Sequence, residues 1–167
     1  MTRVLISIGS NQNDPKSQIY SAFNELEHKF EDVTLSDLYL TEPVGTDSQT
    51  PFINASIVLD TSLNASSLLH YLMEMEQRAG RVRNIEIQNG PRNLDLDIIL
   101  FGEEVWSESQ ITIPHPRYSQ RRFVLEPAAT IAGDMIDPSS HKQISQLLDE
   151  CTDQNWVKIL TEEVEVV

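Results

Sequence analysis

The chain has one cysteine, Cys151, in 167 residues. A lone thiol forms no internal disulfide and has no companion for a zinc cluster, so Cys151 is expected to pack as a small apolar side chain without redox chemistry. No uninterrupted apolar run approaches the roughly 18 residues of a membrane-spanning helix. The short apolar stretch before Gly9 reads as a first strand rather than a signal peptide, so the expected location is the cytoplasm, with no membrane partner. Also missing are a G-x-x-x-x-G-K-S/T loop, a Gly-x-Ser-x-Gly elbow and histidines at metal-ligand spacing. These absences set aside P-loop nucleotide binding, serine-hydrolase chemistry and histidine-based metal sites. Basic residues are scarce: 12 Lys and Arg stand against 26 Asp and Glu, a net charge of −14. Such a surface is poorly suited to displacing counterions from a polyanion, which argues against a nucleic-acid partner.

What positive charge there is has been gathered. Seven of the eight arginines (Arg78, Arg81, Arg83, Arg92, Arg117, Arg121 and Arg122) fall between positions 78 and 122. An acidic protein that concentrates guanidinium groups in one segment is suited to receiving a small anion. For Arg78 and Arg122 a plain reading as solvated side chains stands beside that one. The length suits one domain spanning 1–167 with a core of its own, the last residues, 162–167, being strand or disordered tail. A monomer is the default expectation.

Apolar periodicity orders the elements. Arg3 to Ile8 is a buried strand closed by the Gly9-Ser10-Asn11 turn. Asp14 and Pro15 open a helix whose Ile19, Phe23, Leu26 and Phe30 share one face. Val33 to Leu40 reads as a second strand, Thr41 through Pro51 as a loop, and Phe52 to Asp60 as a third strand with Phe52 and Asn54 on its more polar face. Asn64 caps a second helix carrying Leu68, Leu72, Met75 and Ala79, with Glu76 beside the stripe and Gly80 as its stop. A polar loop leads into an Asp-Leu-Asp strand, and Ile111 to Ile113 forms a short further one. The order β-α-β-β-α-β predicts a ferredoxin-like α+β fold, an αβα sandwich with a mainly antiparallel sheet, to which the C-terminal third adds a helix near Ile144–Leu148 and a strand near Trp156–Leu160.

The chemistry centres on Gly90-Pro91-Arg92-Asn93-Leu94-Asp95-Leu96-Asp97-Ile98. Strand side chains alternate between faces, so Asp95 and Asp97 share one and Leu94, Leu96 and Ile98 the other. Mg²⁺ takes one or two carboxylates and leaves its other positions to water and phosphate oxygens, which fits this pair; an acidic outer strand face is the bland alternative. Guanidinium forks complement a metal in holding polyphosphate. His115, between Pro114 and Pro116, is either a hydrogen-bond donor to a phosphate or a solvated loop histidine. Phe52 and Phe123 are candidates to sandwich a planar heterocycle whose edge Asn54 reads, or else are core residues.

At these residues the chain resembles the 6-hydroxymethyl-7,8-dihydropterin pyrophosphokinases of folate biosynthesis, over nearly its whole length. The likeness runs through Gly9-Ser10-Asn11, the Tyr39 to Gly45 segment with Thr41-Glu42-Pro43-Val44-Gly45, Phe52 to Ala55, Glu76 with Gly80-Arg81, Gly90 to Ile98, Pro114-His115-Pro116-Arg117 and Arg121 to Pro127. It implies transfer of the β,γ-pyrophosphoryl group of ATP to the pterin hydroxymethyl oxygen, with release of AMP. It also implies two Mg²⁺ on Asp95 and Asp97, and ATP facing Glu76, Arg81, Arg83, Arg92, Ile98, His115 and Arg121. Of these, Asp95, Asp97, Arg81 and Arg92 form the catalytic set. The pterin is expected between Phe52 and Phe123, with Thr41, Val44 and Asn54 at its edge. One departure stands out: the family commonly places a basic residue and a tryptophan before Gly-Pro-Arg, where this chain has Gln88 and Asn89. That predicts a looser closing loop or a seal by Ile85 or Ile87, and leaves a weakly catalytic binding homologue as the alternative reading.

Overall fold

The structure, a computed structural model, describes residues 1–43, 50–80 and 93–160. Along these run β1 (Thr2–Ser10), α1 (Pro15–Lys29), β2 (Glu31–Leu35), β3 (Tyr39–Thr41), β4 (Phe52–Thr61), α2 (Ala65–Arg78), β5 (Asp95–Phe101), β6 (Trp106–Ser107), β7 (Thr112–Ile113), α3 (Arg122–Ala132), α4 (Ile144–Glu150) and β8 (Val157–Ile159). The main sheet has the order β5-β1-β4-β3-β8, with β2 also pairing β4, and its pairings are antiparallel. This is the expected ferredoxin-like α+β arrangement. Among the described residues no helix is long and apolar enough to cross a membrane.

Local chemistry accounts for the first two helices. Asp14, in the left-handed region at φ 60°, accepts from the Ser17 amide, and Pro15 occupies the first turn of α1. Asn64 accepts from the Ser67 amide at 2.8 Å to start α2, and Gly80, at φ +100°, turns the chain away from its end. Ile19, Leu26, Leu68 and Leu72 are fully buried against Val4, Ile6, Ile8, Ile57 and Leu96, which makes α1 and α2 the cover of one sheet face.

Besides the first strand, which runs on through Gly9 and Ser10 where a turn is expected because both residues pair with β4, the structure departs from expectation in two places. The predicted strand Val33–Leu40 is two strands, because Ser36 interrupts it: its hydroxyl oxygen accepts from the Ser56 amide at 2.9 Å, taking the place of a strand carbonyl. The other departure is α3, which packs with α4 on the opposite face over Leu5, Val58, Ile99 and Leu100. Pro127 lies inside α3 and disguises it, since proline in an apolar run reads as a breaker. The short strand expected at Ile111–Ile113 is β7, paired with β6.

Tyr118 anchors this second layer. Its hydroxyl donates to Asp137 Oδ2 at 2.5 Å with both residues buried, and burial followed by that bond pushes the phenol pKa well above its ordinary range. Asp137 Oδ1 meanwhile accepts from the Ser139 and Ser140 amides. Tyr118→Phe leaves a buried carboxylate oxygen short of its donor, and urea denaturation is expected to show a loss of about 1.5–3 kcal/mol; no loss would mean that the oxygen finds water instead.

Candidate active site

The cleft lies on the sheet face covered by α3, at the end that α3 leaves open. Its floor follows from strand register. Gly9 of β1 pairs with Asn54 on one side and Asp95 on the other, and Ser7 pairs with Ser56 and Asp97. Side chains directly across from one another share a face, so two carboxylates, a glycine, two serines and an amide are laid out as a polar floor. On the reverse side Leu94, Leu96 and Ile98 join the core under α2. The walls come from Thr41 and Glu42 at the end of β3, Phe52 of β4, His115 in the turn after β7, and Arg121, Phe123 and Val124 at the start of α3. The cleft is open to solvent, and the space within its walls, solvent included, is about 640 Å³.

Eight residues singled out in the sequence meet here: Thr41, Phe52, Asn54, Asp95, Asp97, His115, Arg121 and Phe123. Two others are placed elsewhere. The Ile98 side chain is buried on the rear face, and Ile99, next to it, lines the cleft. Glu76 is 1% exposed within the α2 layer, where its Oε2 accepts from the Leu96 amide at 2.8 Å. It therefore grips β5 from behind, at the residue between the two aspartates. Val44, Arg81, Arg83 and Arg92, the Gln88-Asn89 loop with Ile85 and Ile87, and the 162–167 tail lie outside the described residues. Sequence reasoning did not single out Ser7, Glu42, Ile99 and Val124. For Ser7 the signal was present, since a serine within an apolar strand two residues before Gly9 belongs to the same face.

The aromatic end of the cleft is preorganised. Asn54 Nδ2 donates to Thr41 Oγ1 at 2.7 Å, which orients the amide so that Oδ1 turns toward Gly9. A Cβ on Gly9 would collide with that oxygen. At the other end Asp95 and Asp97 are half-buried and, two residues apart on a strand, stand about 6.6 Å apart along the backbone. Among the described residues no three acidic, histidine or cysteine side chains gather as a metal cage. Two carboxylates open to a cleft suit a cation that completes its shell with water and ligand oxygens, as Mg²⁺ does. Arg121 faces them, its guanidinium 5.6 Å from the Phe123 ring centroid, a cation–π contact that ties the anion end to the aromatic end.

His115 is held by its backbone, its amide donating to Ile99 O at 3.1 Å, while Nδ1 accepts from the Arg117 amide at 3.2 Å. The neutral ring therefore carries its proton on Nε2 as a donor. Burial first, and Arg121 second, depress its pKa from 6.5 to about 4, against the weaker opposite pull of Asp95. The sign follows: between pH 6.5 and about 4 the unfolded chain takes up a proton that the folded chain does not. His115 thus contributes stability above pH 6.5 that is lost as pH falls toward about 4. An NMR titration of the metal-free protein is expected to show the His115 ring neutral at pH 6, with a midpoint near 4; a midpoint near 6.5 would contradict the half-buried, donor-bonded ring.

Comparison with known proteins identifies the family. The sequence profile of the family described as 7,8-dihydro-6-hydroxymethylpterin-pyrophosphokinase (HPPK) matches residues 5–133. The 2-amino-4-hydroxy-6-hydroxymethyldihydropteridine pyrophosphokinase of Pseudomonas aeruginosa is 38% identical over 151 residues, covering 89% of this chain and 91% of that protein. The protein of the same name from Bacillus subtilis is 40% identical over 144 residues, 84% of each. In fold, the chain is similar to the HPPK-DHPS protein of Plasmodium falciparum, solved as its A437G variant with SDX-DHP, at a TM-score of 0.69 and 13% identity. That match takes in 89% of this chain and 45% of the other, so this chain spans less than half the length of that protein.

Proposed function

The chain belongs to the 7,8-dihydro-6-hydroxymethylpterin-pyrophosphokinase family, and on that footing we propose how its own residues carry the reaction. The enzyme transfers the pyrophosphoryl group of ATP to 6-hydroxymethyl-7,8-dihydropterin in folate synthesis. The hydroxymethyl oxygen bonds to the β-phosphorus, the bond from that phosphorus to the oxygen bridging the α-phosphate breaks, the hydroxyl proton is released, and AMP leaves.

The observation that carries the assignment of residues is that one cleft holds both kinds of partner the reaction needs. Asp95, Asp97, Arg121 and His115 line it together with Phe52, Asn54, Thr41 and Phe123, and β1 runs between Asn54 and Asp95. In our reading the pterin ring lies between Phe52 and Phe123, with Asn54, already oriented by Thr41, offering both a donor and an acceptor to its edge. Arg121 holds phosphate oxygens with a fork that stays charged at any working pH. His115 donates from Nε2 as a neutral ring, binding an oxygen without adding charge. Asp95 and Asp97 would hold Mg²⁺, two ions in this reading, which would supply neutralisation of phosphate charge. Asp95 is also a candidate acceptor for the hydroxyl proton. Glu76 and Ile98 serve from the rear of β5, by anchoring the strand that presents the aspartates. Arg81, Arg83 and Arg92 complete the ATP side and Val44 the pterin side, on the strength of the family resemblance. The catalytic unit is a single domain over 1–167, working as a cytoplasmic monomer without nucleic acid.

Positioning and charge stabilisation supply most of the rate in such a transfer. Asp95→Ala and Asp97→Ala are each expected to lower turnover by about a thousandfold or more while the metal-free melting temperature stays near that of the unaltered protein. Chromatography of protein, Mg²⁺, ATP and the pterin should show AMP; ADP as product, or full activity in both variants, would overturn the assignment. Gly9→Ala, which pushes the Asn54 amide aside, is expected to weaken pterin binding by about tenfold with ATP affinity nearly unchanged, as read by calorimetry.

A further inference from the structure

Arg121 and Phe123 stand two residues apart at the cleft, and the residue between them is held from outside it. The Arg122 amide donates to Asp153 Oδ2 at 2.9 Å; its side chain returns the grip, Nε donating to Asp153 O at 2.9 Å and Nη2 to Cys151 O at 3.0 Å. A side-chain cap from their own N-cap residues starts α1 and α2, whereas α3 has none and takes its first acceptor from a residue 31 positions further along. The second oxygen of the same carboxylate is also engaged. Asp153 Oδ1 accepts from the Asn155 amide at 3.0 Å and from Asn155 Nδ2 at 2.9 Å, fixing the turn that leads to Trp156 and β8.

That turn reaches the other wall. Trp156 O accepts from the Glu42 amide at 3.1 Å, and Val157 pairs with Thr41. The two oxygens of Asp153 thus join the backbone that presents Arg121 and Phe123 to the backbone that presents Thr41 and Glu42. We propose that Asp153 is a positioning residue for substrate binding, setting the separation of the two cleft walls without touching either substrate. The position lies beyond the 5–133 stretch that matches the family profile. The proposal rests on the reading that Arg121 and Phe123 face the substrates.

A bond that merely stabilised the fold would lower the melting temperature and leave the folded protein's affinities alone. A positioning bond shifts affinity for both substrates, because each is held by a wall that Asp153 sets. The test measures calorimetric affinities for the pterin and for a non-hydrolysable ATP analogue with Mg²⁺, steady-state constants and melting curves. The variants are Asp153→Ala, Asp153→Asn, Arg122→Leu, Arg121→Ala and Phe123→Ala, with Lys142→Ala, which breaks an exposed ion pair to Glu150, as control. Folded Asp153→Ala is expected to lose about tenfold in both affinities, with KM raised to match and kcat within about threefold of the starting value. Asp153→Asn, keeping one acceptor, should fall between, and Lys142→Ala should change neither affinity. Should Asp153→Ala fail to fold, Arg122→Leu decides: it keeps the backbone donor and is expected to cost about threefold in both affinities. Unchanged affinities in the folded Asp153 variant, or in Arg122→Leu where that one decides, would overturn the proposal while Arg121→Ala and Phe123→Ala still weaken binding. If those two also bind normally, the assignment of the cleft falls, and the proposal with it.

Discussion

The absence of a side chain at Gly9 is the constraint on which the cleft rests. Gly9 occupies the central strand between Asn54 and Asp95, and even one carbon there would strike the Asn54 amide. Ser7 keeps the next row low between Ser56 and Asp97. Further along the same face Leu5, Val58 and Leu100 rise into contact with α3 and α4, so one sheet surface is a closed core at one end and an open polar floor at the other. The change from large apolar to small polar side chains along β1 marks where the second layer stops and the cleft begins.

Function is then placed on rigid backbone by carboxylates that face away from it. Glu76 accepts from the amide between Asp95 and Asp97, and Asp153 from the amide between Arg121 and Phe123. In both cases the working side chains sit at alternate positions and the residue between them is the one anchored. A charge-assisted hydrogen bond to the main chain fixes two neighbouring side-chain directions at once, which keeps Asp95 with Asp97, and Arg121 with Phe123, in register. The electrostatics follow the same division. A strongly acidic chain turns a guanidinium and a neutral imidazole donor toward two carboxylates, so that charges of both signs line one cleft.

Much of this was legible from local patterns. Caps at Asp14 and Asn64, the i, i+3, i+4 stripes of α1 and α2, and the alternation of β5 are short-range effects that residue order displays directly. Where local rules misled, a distant partner had overruled them. Val33–Leu40 reads as one strand until Ser36 finds the Ser56 amide across the sheet. Arg122 reads equally well as a solvated side chain until the Cys151 and Asp153 carbonyls come within reach. The helix after Arg121 is hidden by Pro127, which is tolerated because packing over Leu5, Val58 and Leu100 outweighs the missing amide donor.

Residue order alone settles which groups are available and which way neighbours point. The Asp-Leu-Asp triplet must present two acids on one face of a strand, and the motif set running from Gly9 to Pro127 is specific enough to imply the reaction class. Folding settles which of those groups share a space. Cross-strand register sets Gly9 between Asn54 and Asp95, the return of the chain through α3 brings Arg121 and Phe123 over that floor, and Glu76 is drawn away behind β5. Proximity across tens of residues depends on strand pairing and layer packing, which are cooperative properties of the whole chain, whereas alternation and capping depend on a few adjacent backbone units.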